Sequence, residues 1–344
     1  MRQVYLDYNS TTPLAPKVKK KIEEYMNGQF GNPSSLHSFG LRAREEREWA
    51  REKVAQVISA KDSEILFTSG GTEANALAIL GVGRKAGKEG RKHILSSPIE
   101  HPSILKCLEV LQKEGFQVEF LRINQDGVVQ LEDLEKKLLP HTALVTVMAA
   151  NNETGAIQAI QEIGRILKDH SACFHCDAVQ GLGKMDLDVN MLGVDLMSLS
   201  SHKIYGPMGA GALYVRKSVK MDPLIPGHQE KGLRGGTENM ISLVGFGEAC
   251  GLLLEKDIHK EQRRIRDLRD GFYQALKERF PFIRLNTPLD HSLANTLNLE
   301  FPRWEGERLL FALDMAGIAV SLGSACSSGS LSPSHVLTAM GRTP

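Results

Sequence analysis

The sequence predicts an α/β protein with a mainly parallel sheet and a smaller α+β portion toward its carboxyl end. Three observations lead there. Units of apolar strand, short loop and amphipathic helix recur through residues 13–250. The polar motifs of those units fall where the strands end, which is where a parallel sheet gathers functional groups. A hydrophobic content of 42% over 344 residues supplies a substantial core.

In chain order, "REEREWAREKVAQVI" carries Ala50, Val54, Val57 and Ile58 at helical spacing, with its charges on a solvated face. "SEILFTSGGTEANALAIL" reads as strand, glycine turn and helix; "KHILSSPIEHPSILKCLEVL" and "TALVTVMAANNETGAIQAIQEIGRIL" repeat the plan. "ACFHCDAVQGLGK" and "VDLMSLSSHK" supply further strands. A long helix over "DIHKEQRRIRDLRDGFYQALKERF" sets Ile265, Leu268, Phe272 and Leu276 on one side, and its basic run reads as solvated surface. The strand "TLNLEF", the helix "GERLLFALDMAG" and the strand "IAVSLG" close the smaller portion.

Composition narrows the function classes. Lys+Arg 42 against Asp+Glu 41 gives a net charge of +1, so no global field draws DNA, RNA or an anionic membrane. The amino terminus has no apolar leader core, and the longest apolar runs, such as Ala143 to Ala150, are too short to span a bilayer. A cytoplasmic protein is expected. Five cysteines do not make a disulfide framework. Cys173 and Cys176 form a C-x-x-C, but on a strand residues three apart face opposite ways, so no metal is expected there. Cys107 and Cys250 sit in apolar helical patterns and read as core.

The chemistry concentrates in three places. In "SLSSHKIYGPMGAGALYV" an apolar strand runs up to Ser200, His202 and Lys203 and leaves in a glycine-rich loop; a lysine there loses solvation, which favours its neutral, nucleophilic amine. At residues 68–75, "TSGGTEAN" turns a strand through two glycines into a helix, whose free N–H groups and dipole suit a phosphate, with Thr72 adding a hydroxyl. Neither a dinucleotide fingerprint nor a P-loop is present. Asp177 ends its strand with Gln180 three residues on. Singly, the lysine is a surface residue, the Asp a helix cap and His101 a core histidine. Together, an amine, an acid for a ring nitrogen and a phosphate anchor are what pyridoxal phosphate requires.

The ordered motifs carry a resemblance. They run from "YLDYNSTTP" (5–13) through "GNPSSLH" (31–37), "GGTEAN" (70–75), "EHPS" (100–103) and "NNETG" (151–155). They continue through "DAVQ" (177–180), "SSHK" (200–203), "RGGTEN" (234–239) and "GSACSSG" (323–329). The whole chain resembles the class V aminotransferase fold of pyridoxal phosphate enzymes and, within it, the cysteine desulfurases of the NifS and IscS type.

That resemblance implies a fold type I large domain, residues 13–250, with a mainly parallel seven-stranded sheet. Residues 1–12 and 251–344 would form a small α+β domain. It implies that Lys203 holds the cofactor covalently, that His101 stacks on the ring and relays protons, and that Asp177 pairs with the ring nitrogen. Gln180 would contact the ring hydroxyl, and Gly71, Thr72, Ser200 and His202 the phosphate. Asn152 would lie near the ring and the substrate carboxylate, and Thr237 would reach the phosphate in the partner of a homodimer. Cys326, in a loop of small residues, would be the nucleophile. Its thiolate attacks the sulfur of L-cysteine, leaving L-alanine and an enzyme persulfide for an acceptor protein such as an iron–sulfur scaffold or a tRNA-thiolation relay.

The sequence closes at "HVLTAMGRTP", and the arginine that grips the substrate carboxylate in the family has no match in it. The small domain is therefore expected to be incomplete at its carboxyl end. Two other readings remain open: another class V reaction, such as that of a selenocysteine lyase or an aminotransferase, and a shortened non-catalytic partner that binds the cofactor.

Overall fold

The computed structural model describes residues 3–302, 304–323 and 333–342. Strand β1 (Val4–Tyr5) leads to helix α1 (Pro16–Gly28), which starts on a proline where the missing N–H costs no helical bond. Helix α2 (Ser38–Val57) is capped by His37, whose ring accepts from the Gly40 N–H. Ala50, Val54 and Ile58 of the expected stripe are buried, with Val57 half-buried beside them.

Strand and helix then alternate: β2 (Ile65–Thr68), α3 (Gly71–Gly87), β3 (His93–Ser96), α4 (Pro102–Lys113), β4 (Gln117–Phe120), α5 (Leu131–Lys137), β5 (Thr142–Thr146), α6 (Ile160–Leu167), β6 (Cys173–Asp177), α7 (Val189–Leu192), β7 (Leu196–Ser200) and β8 (Gly211–Val215). These strands form one seven-stranded sheet in the order β2-β8-β7-β6-β5-β3-β4. Only β8 runs against its neighbours, β2 and β7; the other pairings are parallel.

Both faces of the sheet are covered. Ile65, Phe67, Leu95, Val145, Phe174, Cys176, Met197 and Leu199 pack on one side with residues of α2, α6 and α8 (Met240–Leu254). Their neighbours Leu66, Ile94, Leu144, Leu196 and Leu213 pack on the other, against α3 and α4. The alternation is the pleat of the strand expressed as two cores. Cys176 belongs to the first core and Cys173 packs against the second, so the C-x-x-C points two ways, as strand geometry requires. Burial pushes the Cys173 and Cys107 thiols up to about 11 and raises Cys176 and Cys250 well above the ordinary thiol value, which keeps all four protonated.

The chain continues into α9 (Ile258–Arg279), an antiparallel pair β9 (Arg284–Leu285) and β10 (Leu299–Glu300), α10 (Gly306–Met315), β11 (Ile318–Ala319) and α11 (His335–Ala339). Strand β1 pairs in parallel with β11, so the amino-terminal residues join this carboxyl-terminal portion. Helix α9 departs from its apolar stripe: Leu268 and Phe272 are 62% and 52% exposed, and Arg269 is its buried residue. The helix docks through polar contacts instead, since the Arg269 guanidinium donates to the carbonyls of Leu289 and Leu293 and to the Ser292 hydroxyl.

Candidate active site

The α3-facing side of the sheet changes character along the strands. In β6 the residues facing that way run Cys173, His175, Asp177; in β7 they run Leu196, Ser198, Ser200; in β5 they end at Thr146. Apolar side chains thus give way to polar ones toward the carboxyl ends. His175 ties the three strands together, 2.9 Å from the hydroxyls of Thr146 and Ser198, and burial drives its pKa down to about 3. It is a neutral cross-link beneath the site.

Asp177 is buried at the end of β6. Its Oδ1 accepts from the Val179 N–H at 3.0 Å and its Oδ2 from the Asn75 amide at 2.7 Å. It therefore caps its own turn and also faces the site. The same Asn75 amide donates to Ser103 Oγ at 2.9 Å, and Ser103 Oγ is 2.8 Å from His101 Nδ1. His101 caps α4, its Nδ1 accepting from the Ser103 N–H. Burial lowers its pKa below the ordinary imidazole range; Asp177 opposes that shift, and Lys203 and His335 reinforce it. The neutral ring is the resting form.

The turn from β2 into α3 leaves backbone donors at the helix start without a side-chain cap. Gly70 sits at φ +154° and supplies no side-chain cap, so no side chain occupies the first turn's amides there. Gly71 is pressed against the end of β6: an added Cβ would lie 2.6 Å from Val179 Cγ2 and 3.6 Å from Ser200 Cβ. Ser200 Oγ is buried without a hydrogen-bond partner. Thr72 is exposed in that first turn. Across it, Arg234 pairs with Glu73 of the α3 first turn at 2.7 Å.

Lys203 follows β7 in a single turn, Ser201–Lys203, and is half-buried. The amino-terminal segment folds over it: the Lys203 amine donates to the Asn9 carbonyl and, at 2.7 Å, to the Ser10 carbonyl. Asn9 is held in turn by its own side chain, which donates to the Asn152 carbonyl at 3.1 Å and to Thr296 Oγ1 at 2.9 Å. Gln180 donates to the same Asn9 carbonyl at 2.9 Å. His202 lies 3.1 Å from Thr11 Oγ1, and burial with the charges of Lys203 and Lys184 lowers its pKa to about 4.

The residues expected from sequence thus meet in one place, with two exceptions. Thr237 is exposed on this chain. Cys326 lies outside the described residues; of its flanks, Ser334 donates to Glu153 Oε2 at 2.5 Å, beside Asn152. Four contributors were not singled out from sequence: Asn9, Asn75, Ser103 and Lys184. Asn75 and Ser103 had a legible signal, lying one helical turn after Gly71 and two residues after His101. Among the described residues, no group of His, Cys, Asp and Glu is arranged to hold a metal, and no helix is long and apolar enough to cross a membrane.

Comparison with known proteins places this geometry. The Aminotransferase class-V family matches residues 4–343. The chain is 47% identical to cysteine desulfurase IscS of Dictyoglomus turgidum, covering 98% of this chain and 86% of the relative. It is 44% identical to cysteine desulfurase IscS of Clostridium botulinum strain Hall, with 99% and 86% covered. Among solved structures, a NifS-like protein matches with TM-score 0.92 at 38% identity, covering 99% of this chain and 90% of the other. SspA in complex with cysteine matches with TM-score 0.86 at 35% identity, covering 99% and 95%.

Proposed function

As the chain belongs to the class-V aminotransferase family, among its pyridoxal phosphate-dependent cysteine desulfurases, we propose that the cluster around Lys203 is where it removes sulfur from L-cysteine. The observation that carries this reading is the convergence of an amine, a buried carboxylate, a neutral histidine and an uncapped helix start at adjacent strand ends. Residues 13–250 serve as the cofactor-binding domain, and residues 1–12 with 251–344 as the small one.

The side chains fit the cofactor. Ser200 Oγ, buried and unpartnered beside the uncapped first turn of α3, suits a phosphate oxygen, and a Cβ at Gly71 would crowd that turn. Gly71, Thr72, Ser200 and His202 hold the phosphate, Asp177 the ring nitrogen, Gln180 the ring hydroxyl and His101 the ring face. Lys203 forms the covalent link, and Asn152 lies toward the substrate carboxylate. Thr237, exposed on this chain, reaches the partner's phosphate in a homodimer. When bound, the cofactor draws electrons from the substrate and loosens its Cβ–S bond.

The chain's own groups do the rest. Asn75 holds the Asp177 carboxylate and, through Ser103, the His101 ring. The Asn9 and Ser10 carbonyls aim the Lys203 amine, which would be the base for the substrate's α-proton. His101 rests neutral because it is buried, with Nδ1 accepting from the Ser103 N–H, and becomes cationic only while it carries a relayed proton. The Cys326 thiolate bonds to the substrate sulfur as the Cβ–S bond breaks, the carbon takes a proton, and L-alanine leaves. The product on the enzyme is a persulfide, passed to an acceptor protein.

The test is the visible absorbance of the purified protein with pyridoxal phosphate, before and after L-cysteine, with alanine and sulfide measured in the same tube under reductant. A band that shifts with cysteine and yields matched alanine and sulfide is expected. A band that does not respond would overturn the reading.

A further inference from the structure

Lys184 has no part in the roles above, yet its side chain reaches the same cluster. It lies on the turn after β6 and donates to Gln180 Oε1 at 2.8 Å. Gln180 passes the contact on through its Nε2 to the Asn9 carbonyl, which also accepts from Lys203. A glutamine amide has one accepting and one donating end. With Oε1 taken by Lys184, a donor in either protonation state, only the NH2 is left to face the site.

We propose that Lys184 is a positioning residue for the sulfur-removing reaction: it locks Gln180 with its NH2 toward the cofactor's ring oxygen and sets a second basic group beside Lys203. This rests on the roles given to Lys203 and Gln180 above. The charges around the pair support it. Burial, and then Lys203, bring the half-buried Lys184 down to about 7. His202 is pushed down by burial, Lys203 and Lys184 in turn. His101 faces Lys203 from the start of α4, with Asp177 opposing the repulsion. Like charges this close release their protons in separate steps, so removing Lys184 lets the Lys203 nitrogen keep its proton to higher pH.

The experiment is a pH titration of the visible absorbance of the holoenzyme without cysteine, for the native protein, K184M and K184R. The K184M midpoint is expected to rise by about one pH unit, with pyridoxal phosphate bound several-fold more weakly, because Gln180 is free to turn. K184R keeps the donor and stays charged where Lys184 loses its proton, so its midpoint is expected at or below native, opposite in direction to K184M. Should K184M fail to fold, K184Q, neutral and polar, is titrated with the same expected rise. A native midpoint and native affinity in the neutral variant would overturn the inference. Borohydride reduction followed by peptide mapping separates the two levels. Label on Lys203 of the native protein upholds the underlying site reading whatever Lys184 does, and its absence there removes that reading and this inference together.

Discussion

Asn75 spends one amide on two acceptors, Asp177 Oδ2 and Ser103 Oγ, and so couples the carboxylate to the His101 ring. Asn75→Ala removes both bonds and leaves Asp177 Oδ2 buried without its donor; cysteine turnover is expected to fall at least about tenfold, measured as alanine release, with the fold retained. Lys203→Ala removes the proposed proton acceptor, and turnover is expected to fall by about a hundredfold or more. The His101 pKa lies below the ordinary imidazole range, so its ring should stay neutral as pH falls through that range; an NMR titration of the His101 ring resonances checks this. At this scale most of the proposed site was legible through the family resemblance, because Lys203, Asp177, His101 and Gln180 sit in short ordered motifs; each alone read as an ordinary surface, capping or core residue. The sequence did not name Asn9, whose partner Lys203 is 194 residues away and reaches it only in the folded chain, or Lys184, whose bond to Gln180 is local but whose burial near Lys203 depends on the fold.

Helix α3 shows how one element makes a binding surface. Its first turn has Gly70 at φ +154°, a backbone few side chains adopt, and Gly71 packed to within 2.6 Å of Val179 Cγ2 were it to carry a Cβ. Alanine at position 71 favours the helix by about 1 kcal/mol on propensity alone, so Gly71→Ala is not expected to unfold the protein. It is expected to weaken pyridoxal phosphate binding by about tenfold or more, as the added methyl shifts Val179 and crowds Ser200; a fluorescence titration measures it. Elements of this kind were legible from sequence: a strand, a glycine turn and an apolar helix are fixed by local pattern. Helix α9 was legible as a helix but not in its docking, because Arg269 and the carbonyls of residues 289–293, rather than the Leu268 and Phe272 stripe, decide which side goes in.

The molecule as a whole carries opposed titrations under its site. His175 has a folded pKa of about 3, so between the ordinary imidazole range and pH 3 the unfolded chain binds the extra proton and stability falls as pH falls. Glu100, raised to about 8 by burial, is the reverse case: between the ordinary carboxyl range and pH 8 the folded chain holds the proton, and stability falls as pH rises. Its Oε1 accepts from Ser97 Oγ and the Met148 N–H, contacts a glutamine oxygen can keep. Glu100→Gln should therefore gain stability relative to the native protein as pH rises from 5 to 8, by at most about 1.4 kcal/mol per pH unit, read from urea unfolding at each pH. The alternation of strand and helix was legible as a mainly parallel sheet, but the strand order, the two cores and the buried acids were not, since they depend on packing across the whole fold. The most direct test of the site's chemistry is mass spectrometry of peptides from the protein after incubation with pyridoxal phosphate and L-cysteine. One added sulfur on Cys326, absent from the Lys203→Ala variant, is the expected result. Alanine release with no sulfur on Cys326, or the same sulfur without Lys203, would contradict it.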